Sequence, residues 1–316
     1  MKKRIIIDTD MGSDEYIAIQ LAILSNKFNI EGISLVHGNT SMENVKKNIF
    51  KTLDMIGKNN TIKVYEGKTE SLKDFNVVTD DFALGSNGFG DVLYEPVLGK
   101  FEKQNAIDWM IEHVNKNPKK ITLVAMGPLT NMASAILKDE NFAKNIKELI
   151  IMGGAINFGN ITPYAEFNFY NDPKAADIVF SSGIKNIVMI GFDITKYVTI
   201  TTKLENLFKN SKNQNAKFIY DITRTLADID RKETHVDGAV ISDAINICYL
   251  LNKKVLKLKK ANIKIVLDDM KHLGESKIIE GKPNCKVAVG INSKLCTYMI
   301  FSTLLPELKK EIKKLL

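Results

Sequence analysis

Only three cysteines, Cys248, Cys285 and Cys296, occur in 316 residues. Their number is odd and their spacing unlike that of metal ligands, so neither a disulfide framework nor a zinc site is expected, and all three should be reduced and packed inside. Long apolar runs are missing as well. The opening MKKRIIIDTD carries positive charge, but its apolar stretch, Ile5 to Ile7, ends at acids. It is too short for a secretory core or a membrane span, which leads to the expectation of a cytoplasmic protein with no membrane partner. No zinc-finger spacing and no basic run interleaved with aromatics is present, so nucleic acid is not an expected partner. The net charge of +7 comes from lysines spread from Lys2 to Lys314, the pattern of a solvated surface. No internal repeat or low-complexity linker divides the chain, and one domain, 1–316, is expected.

What is present suits a large buried core: 45% of the residues are apolar and 26% charged, ordinary for a globular protein. Short β-branched runs alternate with amphipathic stretches, the signature of strand-helix-strand units. Strands are expected at Arg4–Ile7, Ile33–Val36, Ile62–Tyr65, Ile121–Ala125, Leu149–Met152 and Ile187–Ile190. Helices are expected at Asp14–Ser25, Met42–Ile56, Ala106–Val114, Asn131–Leu137 and Pro173–Phe180. The last third is less regular, with helices near Asn215–Ile229, Asp243–Leu251 and Leu295–Leu304 and a β pair near Ile263–Leu267 and Lys286–Val289. The fold class is α/β, an open and mostly parallel central sheet flanked by helices. Two connections, Gly67–Leu93 and Gly153–Asn171, are longer than plain turns, and loops of that length are often functional.

The first strand ends in DTDMGSDE, four carboxylates within eight residues at the place where open parallel sheets hold their ligands. Part of this has an ordinary explanation. Ser13 can cap the following helix, and acids in a first helical turn stabilise its dipole by roughly 0.3–1 kcal/mol each. That covers Asp14 and Glu15. It leaves Asp8 and Asp10 at the end of an apolar strand, where mutual repulsion calls for a hard, oxygen-seeking cation, calcium before magnesium.

DTDMGSDE resembles the DTDxGxDD signature of the inosine-uridine nucleoside hydrolase family, and further segments match in order: VHGNT at 36–40, VAMGPLTN at 124–131, the run MGG, GN, AEFN and NDP between 152 and 173, and DGAVISDAINICYLL at 237–251. The resemblance covers nearly the whole chain. It implies the Rossmann-like fold of that family and hydrolysis of ribonucleosides to ribose and free base, in purine and pyrimidine salvage or catabolism. It implies Ca2+ held by Asp10, Glu15, the Met126 carbonyl and Asp243, with Asp10 also the general base toward a calcium-bound water. Asn39 would support sugar and water, Asp14 would accept from the 2′-hydroxyl, and Asn160 and Glu166 would hold the 5′-hydroxyl. Asn168 falls on the 2′,3′ side, and Met152 packs beneath the sugar. A homodimer or homotetramer is implied too.

Three residues depart from the pattern. Glu15 stands where the family has aspartate, and its extra methylene displaces the carboxylate. Ser242 and Leu84 stand where histidines are common, and a serine hydroxyl is a poor acid near neutral pH. His235 is one substitute for the missing proton donor, with Asp228, Tyr220 and Arg231 as others, although a loop histidine is ordinarily a surface residue. His37 reads as a positioned structural residue. Phe82, Phe89, Phe158 and Tyr164 lie in loops that could wall the base, and broad purine and pyrimidine specificity is expected. The rival readings are a catalytically weakened nucleoside- or ribose-binding homologue, motivated by Glu15 and Ser242, and a phosphatase. The latter lacks a phosphate-gripping motif and leaves AEFN unexplained.

Overall fold

A computed structural model describes residues 2–72 and 78–316; part of the Gly67–Leu93 connection lies outside them. Among the described residues eleven strands are formed: β1 (Lys3–Thr9), β2 (Phe28–Leu35), β3 (Val64–Glu66), β4 (Thr122–Ala125), β5 (Glu148–Met152), β6 (Ile187–Ile190), β7 (Thr199–Ile200), β8 (Ala239–Val240), β9 (Leu256–Ile265), β10 (Ser276–Ile279) and β11 (Cys285–Ile291). Nine of them make one sheet in the order β10-β9-β11-β6-β5-β4-β1-β2-β3, and β7 pairs with β8 separately. From β11 to β3 every pairing is parallel. β9 and β10 add an antiparallel edge. Strand order reverses between β1 and β4, and at such a switch point the helices on the two sides diverge and leave a crevice beyond the carboxyl ends.

The central strands are apolar on both faces because helices cover both faces; Ile5, Ile6 and Ile7 are all fully buried. The helix Ser13–Leu24 is buried on nearly all sides rather than along one stripe. It packs against the helices Ala244–Leu251 and Ser293–Leu304 as well as the sheet, which its mixture of Ile, Leu and Ala permits. Cys248 and Cys296 belong to those two partner helices; all three cysteines are free and buried, and the Cys248 Sγ lies 3.9 Å from the Cys296 carbonyl oxygen.

The expected elements are present with shifted ends. β3 starts later than Ile62, and the helix expected from Asn131 begins at Thr130. The largest difference is β9, which starts seven residues before Ile263; its LKLKK alternation, with lysines facing out, reads as polar surface until the neighbouring β11 is known. The strand β10 and the helices Thr202–Lys209 and Lys309–Leu315 were not expected. Among the described residues no helix is long and apolar enough to cross a membrane.

Candidate active site

Register brings the ends of four adjacent strands to one level. Asp8 of β1 pairs with Ser34 of β2 and Ala125 of β4, and Ala125 pairs with Ile151 of β5. The residues just beyond, Asp10, Asn39, Met126 and Met152, therefore share one rim. Asp8 stays below it, accepting hydrogen bonds from the Ser34 hydroxyl and from Asn131 Nδ2 at 2.7 Å. Burial raises its carboxyl to about 7. Asp8 thus ties β1 to β2 and to the helix after β4.

Asp10 is fully buried. Its Oδ2 accepts from the Asn39 backbone N–H at 2.9 Å, and its Oδ1 has no hydrogen-bond partner. Two glycines make room for it: a Cβ at Gly38 would lie 1.9 Å from Asp10 Oδ2, and one at Gly127 2.8 Å from Asp10 Oδ1. The chain then turns through Met11, at a φ of 40°, into the helix Ser13–Leu24. The cap is not Ser13, whose hydroxyl is buried without a partner. Instead Gly12 is the N-cap residue and Glu15 reaches back to its N–H at 2.8 Å, the carboxylate half of a capping box. The other Glu15 oxygen accepts from Asn39 Nδ2 at 2.7 Å. Asn39 therefore holds Asp10 through its backbone and Glu15 through its side chain.

Asp14, Glu15 and Asp243 bring carboxylate oxygens within 4.8 Å of one another, and Asp243 Oδ1, like Asp10 Oδ1, is buried without a hydrogen bond. Asp14, expected to take the sugar, is thus part of the group able to hold a cation, while Asp10 lies against Glu15. Desolvation, then the neighbouring carboxylates, push Glu15 and Asp243 well above the usual carboxylate range; Asp10 is raised to about 6, mainly by burial. Orphaned acceptors and crowded like charges are the chemistry a divalent cation satisfies, so these residues fit one.

The adjoining rim is neutral or hydrogen-bonded. Glu166 caps the short helix Phe167–Asn171, accepting from Asn168 N–H at 2.9 Å and, from across the turn, Gly154 N–H at 2.7 Å. Burial raises it to about 7. Asn168 Nδ2 points to the Met152 carbonyl at 3.3 Å, and the exposed Asn160 accepts from Phe167 N–H at 2.9 Å. These side chains, with Asp14, Asn39, Met126 and Asp243, line a single cavity of about 310 Å³. Its other wall comes from the helices Asp81–Leu84 and Gln214–Glu233, which present Phe82, Leu84, Leu226 and Ile229 together with Asp80, Asp230 and Glu233. Six carboxylic residues and no lysine, arginine or histidine line this cavity among the described residues, although the whole chain is basic.

Several expected base-side residues lie elsewhere. Phe82 lines the cavity, but Phe89 is fully buried against Tyr16 and Phe218. Phe158 packs on Phe192, Tyr164 on His272, and neither lines the cavity. Phe167 and Phe192 do so instead. His235 is exposed beyond the end of its helix, at a φ of 54°. Arg231 is paired with Glu205 and Asp228, and Tyr220 lies beneath Lys209. His37 meets Thr130 Oγ1 at 2.8 Å, and Thr130 in turn donates to Asp172; burial lowers the imidazole to about 4, the state of a neutral structural histidine. Ser242 reaches the cavity with its hydroxyl engaged by Thr195 at 3.0 Å. Sequence reasoning did not anticipate Asp80 or Asp230.

Known proteins resemble the chain over nearly its whole length. A profile described as inosine-uridine preferring nucleoside hydrolase matches residues 5–297. A probable uridine nucleosidase from Oryza sativa subsp. japonica is 33% identical over 266 residues, 84% of this chain and 78% of its own. A pyrimidine-specific ribonucleoside hydrolase, RihB, of Escherichia coli O157:H7 is 30% identical over 92% of this chain and 94% of its own. The solved structure of a purine-preferring ribonucleoside hydrolase from Gardnerella vaginalis superposes with a TM-score of 0.89 at 28% identity, covering 98% of this chain and all of that one.

Proposed function

The chain belongs to the inosine-uridine preferring nucleoside hydrolase family, enzymes of N-glycosyl bonds, and from that premise we propose that it hydrolyses ribonucleosides to ribose and free base with calcium as cofactor. The observation that carries the reading is the convergence of Asp10, Asp14, Glu15 and Asp243, two of them with orphaned buried oxygens, beneath a rim of Asn39, Asn160, Glu166 and Asn168. A ribose offers several hydroxyls to that rim, and hydroxyls both donate to carboxylates and accept from amides.

Asp14, Glu15 and Asp243, joined by Asp10 and the Met126 carbonyl, are the residues that would hold the cation. When bound, calcium neutralises the carboxylates and makes a nearby water more acidic. Asp10 is the proposed general base: it is fixed by Asn39 N–H, and its unpartnered Oδ1 is free to accept the water's proton. Asn39 and Asn168 orient the sugar, and Met152 packs beneath it. The uridine nucleosidases among the relatives make uridine the first substrate to assay, with inosine beside it.

The test is base release from a nucleoside panel in calcium, repeated with chelator and with Asp10→Ala. Release abolished by chelation and lowered on the order of 10²–10⁴-fold by the substitution, the range of a lost general base, is the expected result. Binding of nucleoside or ribose with no release from any nucleoside would make the chain a binding relative instead.

A further inference from the structure

Breaking an N-glycosidic bond leaves an electron pair on the base, which a proton donor in the cavity can meet. The cavity contains no histidine, lysine or arginine among the described residues. Its Ser242 hydroxyl is engaged with Thr195. The proton donors left on the helical wall are carboxyls. We infer that Asp230, on the helix Gln214–Glu233, is the general acid that protonates the departing base. This rests on the nucleoside hydrolase reading above.

Asp230 is 6% exposed and lines the cavity. Its Oδ2 accepts from Val240 N–H at 2.7 Å, which fixes the carboxyl against β8 and leaves Oδ1 to carry a proton. Its neighbours on the wall, Leu226 and Ile229, are apolar and suit a flat base better than a hydroxylated sugar. Among the described residues the charged groups facing it are all acids: Asp14 from the helix Ser13–Leu24, Asp80 at the head of the helix Asp81–Leu84, and Glu233 one turn along. Arg231 is drawn away by Glu205 and Asp228, and Asp237, ahead of β8, is bonded to Thr202. Burial first, and Asp80 with it, raises the Asp230 carboxyl above the usual carboxylate range, so it holds its proton to higher pH than an exposed carboxyl would. Asp80 is raised similarly, but it is more exposed and lies in a loop-borne single turn.

The step balances. Water attacks C1′ as the C1′–N bond breaks, and the bonding pair stays on the base. The Asp230 proton joins the base at that nitrogen or a conjugated oxygen, and Asp10 takes the proton of the water. Asp230 then regains a proton from solvent, Asp10 releases one, and the net reaction consumes one water.

The experiment compares uridine with p-nitrophenyl β-D-ribofuranoside, whose nitrophenolate leaves without protonation, using the calcium-loaded full chain. Asp230→Asn keeps the acceptor for Val240 N–H and removes the proton. It is expected to lower kcat on uridine by about 10²-fold or more, with the nitrophenyl riboside changed less than about threefold. In the wild type, kcat on uridine should show a basic limb as Asp230 loses its proton while the nitrophenyl riboside shows none, a readout that needs no variant. Equal losses on both substrates, an unchanged uridine rate, a basic limb shared by both, or the substrate split appearing in Asp80→Asn alone would overturn the assignment. A wild type that releases neither base nor nitrophenolate would instead remove the hydrolase reading and the inference with it.

Discussion

The floor of the cavity and its helical wall use the same side chain, a carboxylate, in opposite ways. On the floor, acids sit crowded together where parallel strands end in register, cross-tied through Asn39 and given room by Gly38 and Gly127. The wall hangs Asp80 and Asp230 among apolar side chains, each held by a single backbone contact or two. Crowding on the floor favours a cation, because no single proton can satisfy so many acceptors. Sparseness on the wall favours protons. Environment, rather than residue type, makes one half of the cavity suited to a cation and the other suited to protons.

Three substitutions test that division, beginning with the floor. Gly38→Ala places a methyl 1.9 Å from Asp10 Oδ2, so the Asp10 carboxylate must move by on the order of an ångström. Activity on every substrate should then fall on the order of 10²-fold, with calcium affinity, measured by calorimetry, weakened in parallel. Near wild-type rates would mean the floor is less rigid than its contacts indicate. On the wall, Phe82 is 68% exposed, and Phe82→Ala should raise KM for nucleosides by a few-fold while leaving kcat and ribose inhibition nearly unchanged. A matching loss of ribose binding would erase the distinction between the two halves. Outside both, His235→Asn keeps a residue tolerant of the left-handed backbone and should alter kcat/KM by less than about twofold; a tenfold loss would return His235 to the site.

The same division governs what could be read from the chain alone. A strand end and the loop after it supply several floor atoms within a few residues, so DTDMGSDE, VHGNT and AEFN are contiguous words, and the parallel sheet follows from its β-branched runs. What stayed hidden depends on packing between distant segments. Ser13 appeared to be the cap because the reach of Glu15 back to Gly12 cannot be seen before the loop is folded. The four loop aromatics were indistinguishable until Phe89 went into the core. Asp230 stands in a charged stretch, IDRKE, that reads as solvated helix end. One signal was available: Ile219, Thr223 and Ala227 form a buried stripe, and Asp230 continues it at helical spacing. An acid on a core-facing position is the informative exception.

The helix Ala244–Leu251, which follows Asp243, carries Cys248, which abuts the helix bearing Cys296, and burial together with that contact holds the Cys248 thiol far from ionising. Cys285 sits apart, on β11 beside the antiparallel edge, and its thiol is pushed up to about 12 by burial. Because a thiol reagent attacks only an exposed thiolate, modification of either must wait for the structure to open, and the labelling rate measures how often it does. The molecule thus contains two clocks, one behind the acidic floor and one at the sheet's margin. If substrate or cation slows the first and not the second, ligand binding tightens the core beneath the site and leaves the edge untouched.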